Sequence, residues 1–336
     1  MDDRGLWCAA GGFHVDPWRP VPEAVLTHAH GDHALPGSQR YHCTQEAVPV
    51  LRKRLGPETR LVPHAYGEPF ELGSTAVSLH PAGHVLGSAQ VRVEERSGGE
   101  VWVVSGDYKR QRDPTCAPFE VVPCDVFITE ATFALPIYRW PSPDEVAKEI
   151  LAWWDHNRDA GRASVLFCYA LGKAQRILAH LAELTLRPVH THGTVEAICE
   201  LYREGGVTNL LPTEHVADVK GAKRRDLAGA LVLAPPSARR TPWMKRMGDH
   251  ETAFASGWMQ LRGTRRRQSY DRGFVLSDHA DWPGLLQTIE ETGAKRVLVT
   301  HGYGDALVRF LRERGTDAAV LPTPFIGESA EEGQEG

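Results

Sequence analysis

The sequence predicts an α/β protein with layered sheets, interrupted by one large insertion. Two observations carry this expectation. Short apolar runs rich in Val and Ile alternate with helical segments along the chain. The stretch from about Pro136 to Tyr270 has strand–helix units of its own, with Pro and Gly breaks at both ends. Buried strands are expected over 101–104, 126–129, 164–169, 274–276 and 296–300. The clearest helix opens at Ser142-Pro143-Asp144-Glu145, a capping box with Pro at the first helical position, and runs to about residue 157. Further helices are expected over 173–184, 195–204, 282–291 and 305–314. No internal repeat is visible. The expected division is therefore a catalytic domain in two parts, 1–135 and 271–327, an inserted domain over 136–270, and an acidic, disordered tail over 328–336.

Composition narrows the class. A chain of 336 residues with 42% hydrophobic and 24% charged residues is that of an ordinary globular protein of one large or two medium lobes. No apolar run approaches the ~20 residues needed to span a membrane. The start, Met1-Asp2-Asp3-Arg4, is acidic and turn-like, unlike a signal peptide. Cys8, Cys43, Cys116, Cys124, Cys168 and Cys199 form neither a CxxC pair nor a disulfide framework. Free thiols and a cytoplasmic location are the simplest reading. The net charge of −5 argues at first against a nucleic-acid partner. Between Lys220 and Arg267, however, twelve Lys and Arg face three acids, Asp226, Asp249 and Glu251, a local net of +9.

The strongest chemical signal is Thr27-His28-Ala29-His30-Gly31-Asp32-His33, of the form HxHxDH, just after the apolar Ala24-Val25-Leu26. In an extended segment residues i and i+2 point the same way, so His28 and His30 can grip one ion. A turn after them aims Asp32 and His33 at a second. Imidazole and carboxylate suit Zn²⁺ or Mn²⁺ rather than a metal that prefers thiolate. Three more polar residues follow expected strands or sit beside glycines: His84 in Pro81-Ala82-Gly83-His84, Asp107 in Ser105-Gly106-Asp107, and His301 in Thr300-His301-Gly302. Each alone reads as structural; with the HxHxDH run they complete the donors of a two-ion site.

These motifs, together with Asp16, Glu130 in Thr129-Glu130-Ala131-Thr132, and His279 in Ser277-Asp278-His279-Ala280-Asp281, resemble in their order the metallo-β-lactamase fold, and within it the β-CASP nucleases. They run from residue 16 to residue 301, nearly the whole chain. The opening from Cys8 through Asp16-Pro17-Trp18-Arg19-Pro20 to Val21 is similar to a bacterial branch called ligase-associated DNA exonucleases. The resemblance implies an αββα sandwich with an inserted α/β β-CASP domain. It implies two divalent cations, Zn²⁺ first and Mn²⁺ as the alternative. His28, His30 and His84 would hold one ion, Asp32, His33 and His301 the other, with Asp107 bridging and Asp16 fixing the ligand loop from behind. Asp32, His279 and Glu130 would be the catalytic residues. Hydrolysis of a phosphodiester by a hydroxide shared between two ions is the expected reaction, with His279 serving the leaving oxygen and Glu130 orienting its ring.

The substrate is less firmly written. Lys173 and Gln175 follow the turn Ala170-Leu171-Gly172; a glycine turn opening a helix is an anion site or an ordinary solvated helix start. Ser256 and Gly257 lie in a segment that resembles a phosphate-contacting loop of the family. Arg265, Arg266 and Arg267, with Arg239, Arg240, Lys245 and Arg246, stand close to Trp243, Trp258 and Tyr270. That mix suits a single strand, phosphates on cations and bases on rings. The resemblance implies DNA, as single strands or ends, trimmed by an exonuclease in repair alongside an ATP-dependent DNA ligase. An RNA-processing nuclease is the alternative, because the family's RNA-cutting members carry a His where His301 stands. A small-molecule hydrolase has no use for the basic insertion, and a non-catalytic scaffold has no use for intact ligands at every motif. Asp281, before Trp282-Pro283, is expected to cap a helix.

Overall fold

A computed structural model describes residues 1–216, 227–261, 263 and 269–323. It is a mixed α/β structure. The chain divides into two compact units. One contains Met1–Arg139 and the described chain from His279 onward; the other is Trp140–Asp278. The sequence boundaries of 136 and 270 differ from these for local reasons. Tyr138 is fully buried and packs its ring 4.8 Å from Phe133, which keeps 136–139 with the first unit. At the far end Arg272–Phe274 is a strand of the second unit's sheet, so that unit runs on past Tyr270.

The first unit is built on two sheets. One has five strands in the order β1 (Leu6–Cys8), β2 (Phe13–Val15), β3 (Glu23–Val25), β4 (Arg40–Thr44) and β5 (Leu61–His64). β1 and β2 are antiparallel and the rest parallel. Helix α1 (Val48–Leu55) lies between β4 and β5. The other sheet adds β6 (Phe70–Leu72), β7 (Thr75–Pro81), β8 (Ala89–Glu95), β9 (Trp102–Val104) and β10 (Val126–Thr129). Two strands from the end of the chain, Arg296–Val299 and Asp317–Val320, pair in parallel beside β10. The meander β6–β9 is antiparallel, while β9, β10 and the strand 296–299 run parallel.

Alternation explains the layers. Val126, Ile128 and Leu298 face the five-stranded sheet and pack with Phe13, Val15 and Val25. Phe127, Val297 and Val299 face the other way and pack with Leu285, Ile289, Leu307 and Leu311 of the helices Trp282–Thr292 and Gly304–Glu313. A strand buried on both faces reads as a continuous apolar run, which is why 126–129 and 296–299 were visible in the sequence.

The second unit holds a parallel six-stranded sheet. In chain order its strands are β11 (Ala163–Phe167), β12 (Val189–Thr191), β13 (Thr213–His215), β14 (Leu231–Ala234), β15 (His250–Ala255) and β16 (Arg272–Phe274). Their spatial order is β13-β12-β14-β11-β15-β16. The expected strand 274–276 is therefore displaced to Arg272–Phe274; Gly273 at its centre carries no side chain to show the pattern. Helices α2 (Pro143–Asp159), α3 (Lys173–Ala182) and α4 (Gly193–Glu204) cover one face. At the start of α2 the Glu145 carboxylate accepts from the Ser142 amide at 3.2 Å. The late helices are α5 (Trp282–Thr292) and α6 (Gly304–Glu313), and the last strands are β17 (Arg296–Val299) and β18 (Asp317–Val320). Asp281 caps α5, its carboxylate accepting from the Gly284 amide at 3.0 Å. All six cysteines are free. Among the described residues no helix is long and apolar enough to cross a membrane.

Candidate metal centre

The site lies in the first unit, in the loops that leave the strand ends. His28 and His30 follow β3 in irregular backbone rather than a strand, and the chain turns at 31–33, where the Ala34 amide donates to the His30 carbonyl at 2.9 Å. Asp107 follows β9, Glu130 follows β10 and His301 follows β17. Three neighbouring parallel strands therefore deliver their next residues to one edge of the sheet. His84 comes from the loop between β7 and β8, tied by its own amide to Ser88 Oγ at 3.0 Å.

Asp107 is the hub. Its Oδ2 lies 3.5 Å from His28 Nε2, 3.5 Å from His33 Nε2, 3.9 Å from His84 Nε2 and 4.0 Å from His279 Nδ1. Its other oxygen, Oδ1, is 3.1 Å from His301 Nε2. Asp32 Oδ2 sits 3.8 Å from His33 Nε2. One atom each of His28, His30, His84 and Asp107 falls within 4.8 Å of the others, and all four residues are buried. Asp107, Glu130 and His279 form a second such group.

The electrostatics of this arrangement are unusual for a core. Burial holds His28 well below its ordinary value, with the charges of His33, His84 and His30 acting the same way against Asp107. Burial also opposes a charge on His33, but the carboxylates of Asp32, Asp107 and Asp16 outweigh it and raise that ring well above the ordinary range. Burial would raise Asp107; the His33 and His279 charges and the bonds from His301 and His33 hold it well below instead.

The donor set fits divalent cations. Among the described residues neither His28 Nε2 nor Asp32 Oδ1, both buried, has a hydrogen-bond partner. His30 Nδ1 and His84 Nε2 face each other at 3.0 Å. Buried polar atoms are normally paired, so a cluster of converging imidazole nitrogens and carboxylate oxygens with capacity left over suits an ion of the Zn²⁺ or Mn²⁺ kind.

Supporting contacts hold the donors. Asp16 Oδ1 accepts from the Thr27 amide at 2.8 Å, and Oδ2 accepts from Thr27 Oγ at 2.5 Å and contacts His33 Nδ1 at 2.7 Å. Asp16 itself has φ +43°, a left-handed conformation that short acidic side chains tolerate. Glu130 Oε2 lies 2.9 Å from His279 Nδ1, while its Oε1 accepts from the Tyr108 amide at 2.9 Å. Asp16, Asp32, His33, His301, Glu130 and His279 thus share one neighbourhood with the four-residue cluster. Thr27 escaped the sequence reading, although its place between the apolar strand and the first His was a usable signal.

The expected phosphate contacts within the described residues lie in the second unit, and three of them, Lys173, Gln175 and Ser256, have other duties. Lys173 is fully buried, with Nζ 4.3 Å from the Tyr169 ring centre and 3.4 Å from Asp278. Gln175 is also fully buried; its Oε1 accepts from the Gly172 amide at 2.8 Å and its Nε2 donates to the Ala170 carbonyl at 3.0 Å. The glycine turn is closed by its own helix, so neither side chain is offered to an anion there. Arg176, unremarked in the sequence, donates to the Ser277 carbonyl at 2.8 Å and pairs with Asp278 at 3.1 Å. Its spacing from Lys173, one helical turn, was the available clue. Ser256 caps the 3₁₀ turn Gly257–Gln260, accepting from the Trp258 amide at 3.3 Å; it and Gly257 are buried. Arg239 lies over the Tyr270 ring at 3.9 Å. Arg265, Arg266 and Arg267 lie outside the described residues, as does the acidic tail.

No family model matches the chain. Relatives were found by sequence. A protein named as a probable DNA ligase from Opitutus terrae is 31% identical over 321 residues, which are 95% of this chain and 30% of that protein. A protein named RNase aCSPSF2 from Saccharolobus solfataricus is 25% identical over 208 residues, 53% of this chain and 42% of that one. The chain thus spans less than half the length of either relative. Among solved structures, a protein of unknown function from Enterococcus faecalis V583 superposes with a TM-score of 0.60 at 13% identity, covering 90% of this chain and 79% of that one, so the two share a fold.

Proposed function

We propose that the chain is a two-metal phosphodiesterase of the β-CASP group, and that it degrades DNA from its ends as an exonuclease alongside an ATP-dependent DNA ligase. The observation that carries this reading is the buried convergence of His28, His30, His84 and Asp107 from three loops. A relative named as a ribonuclease supports nucleic acid as the substrate class. The relative named as a probable DNA ligase, matched along nearly the whole chain, supports DNA.

His28, His30 and His84 would hold one cation and Asp32, His33 and His301 a second, with Asp107 between them. Cations in such a site activate the phosphate and supply a nucleophile at neutral pH. The protein's own groups do the rest. Asp16 holds Thr27 and the His33 ring, so the HxHxDH loop keeps one shape. Burial of Asp107 keeps bulk water from screening the charges that meet there. Glu130 fixes the orientation and tautomer of His279 through Nδ1. A proton carried on the other ring nitrogen of His279 then passes to the leaving oxygen. Ser256, Gly257 and the run Arg265-Arg266-Arg267 are assigned to phosphate contact, the arginines on charge alone.

RNA cleavage is the second reading, favoured by the relative named RNase aCSPSF2. The deciding experiment digests 5′- and 3′-labelled DNA, single- and double-stranded, beside RNA of the same sequence, with zinc or manganese present. Progressive loss of DNA from one end is expected. RNA cut while DNA survives would transfer the reading to RNA processing, and no cleavage of either would sink the nuclease.

A further inference from the structure

The three expected ligands that stand alone in the sequence, His84, Asp107 and His301, each have a glycine as immediate neighbour. Gly83, Gly106 and Gly302 all lie in the left-handed region, at φ +71°, +56° and +79°. Many turns ask this of a glycine. These three differ in what lies over the α-carbon. A Cβ on Gly83 would stand 2.5 Å from the carbonyl oxygen of Lys109, two residues beyond Asp107. One on Gly106 would stand 2.5 Å from Cβ of Thr27, the neighbour of His28. One on Gly302 would stand 2.2 Å from the carbonyl oxygen of Ala131, the neighbour of Glu130. By contrast Gly293 and Gly315, at φ +66° and +84°, have nothing within 4 Å of the same position.

Each bare α-carbon therefore marks a seam between two site loops. The His84 loop rests on the Asp107 loop, the Asp107 loop on the His28 loop, and the His301 loop on the Glu130 loop. Backbone bonds run along two of these seams: the Lys109 amide donates to the Ala82 carbonyl at 3.0 Å and the Tyr303 amide to the Ala131 carbonyl at 2.8 Å. The Tyr108 amide, bonded to Glu130, joins the two sets. Interiors are close-packed and do not yield a methyl's width without moving backbone.

We propose that Gly83, Gly106 and Gly302 are positioning residues that set the spacing between ligand-bearing loops, so that the donor atoms meet at Asp107. This rests on the metal-centre reading. The test titrates zinc into the metal-free full chain by calorimetry, with elemental analysis and thermal melts, for the wild type, Gly302→Ala, Gly106→Ala and Gly293→Ala. Gly293→Ala carries the same backbone strain without the collision. It should lower the melting temperature by about 2–4 °C and leave zinc affinity unchanged. Gly302→Ala should weaken one zinc equivalent roughly 10–100-fold, the scale of losing a ligand's support. Should Gly302→Ala fail to fold, Gly106→Ala asks the same question, because its methyl meets the Thr27 side chain rather than a carbonyl. A folded variant binding both equivalents like the wild type would overturn the inference alone, as would equal weakening in Gly293→Ala. A wild type that takes up no zinc would remove the metal centre itself, and the inference with it.

Discussion

Each unit buries a cluster of polar side chains, and the two clusters differ in what is left over. In the second unit Lys173 and Arg176 close on Asp278 within 3.4 and 3.1 Å, and Gln175 bonds the backbone at both ends of its amide. Opposite charges meet and the donors find acceptors. In the first unit imidazoles face imidazoles, five histidine rings crowd around Asp107, and among the described residues His28 Nε2 and Asp32 Oδ1 have no hydrogen-bond partner. Burial is common to both. The two clusters differ in kind: one pairs opposite charges, while the other gathers imidazole nitrogens and carboxylate oxygens that can all act as ligands to a cation.

The largest effect expected from this contrast is at the hub. Asp107→Ala, or a chelator acting on the wild type, should abolish hydrolysis, and the variant should carry fewer metal ions than the wild type's expected two. Elemental analysis finding the variant fully loaded would dissolve the distinction. Next comes His279→Ala, which should keep metals and bind DNA yet cleave about 10²–10⁴-fold more slowly. Glu130→Gln should be milder in the same direction, and a substrate with an activated leaving group should recover much of the rate. Equal slowness on that substrate would make His279 a support rather than a proton donor.

On the structural side, Asp278→Ala leaves two buried cations without their counter-ion and should cost about 3–5 kcal/mol of stability. Zinc binding should not change. A variant as stable as the wild type, measured by denaturant titration, would show that the Asp278 pairing contributes nothing to stability.

The smallest effect concerns a third polar group, the pair His42 and His64, which meet at 2.9 Å and stack on Phe70. Glu23 and Arg40 face it. Burial, helped by the His42 charge, pushes His64 down to about 4 from its ordinary 6.5. Between those values the unfolded chain binds a proton that the folded chain refuses. Stability should therefore rise with pH from about 4 to 6.5 and flatten above. Melting curves of His64→Gln should show a shallower rise across that window; an unchanged slope would assign the effect elsewhere.

Much of this was legible in the sequence. The helix Pro143–Asp159 announced itself through Ser142, Pro143 and Glu145, and α5 through Asp281 before Trp282-Pro283. The cluster of candidate metal donors was visible because four such side chains seldom fall within six residues. Strands β1 and β2 were not, since three residues cannot display an alternation. Helix α1 was hidden by Pro49 and by a basic last turn, Arg52-Lys53-Arg54. Lys173 and Gln175 show what local sequence leaves open. A glycine turn opening a helix has the same sequence whether its amides are kept for an anion or closed by the helix's own glutamine, and only the fold chooses.

The insertion sets a timetable. His301 lies 194 residues beyond Asp107, and His279 lies 149 beyond Glu130. At roughly 5–20 residues per second, a ribosome needs on the order of 10–40 s to cover the longer interval. For most of that time the nascent chain carries His28, His30, His84 and Asp107 but lacks His279, the ring that would serve the leaving oxygen. On the proposed function, hydrolytic competence would arrive only after the whole second unit has been made, and a chain aborted before residue 279 would hold the first candidate ligands without the proposed proton donor.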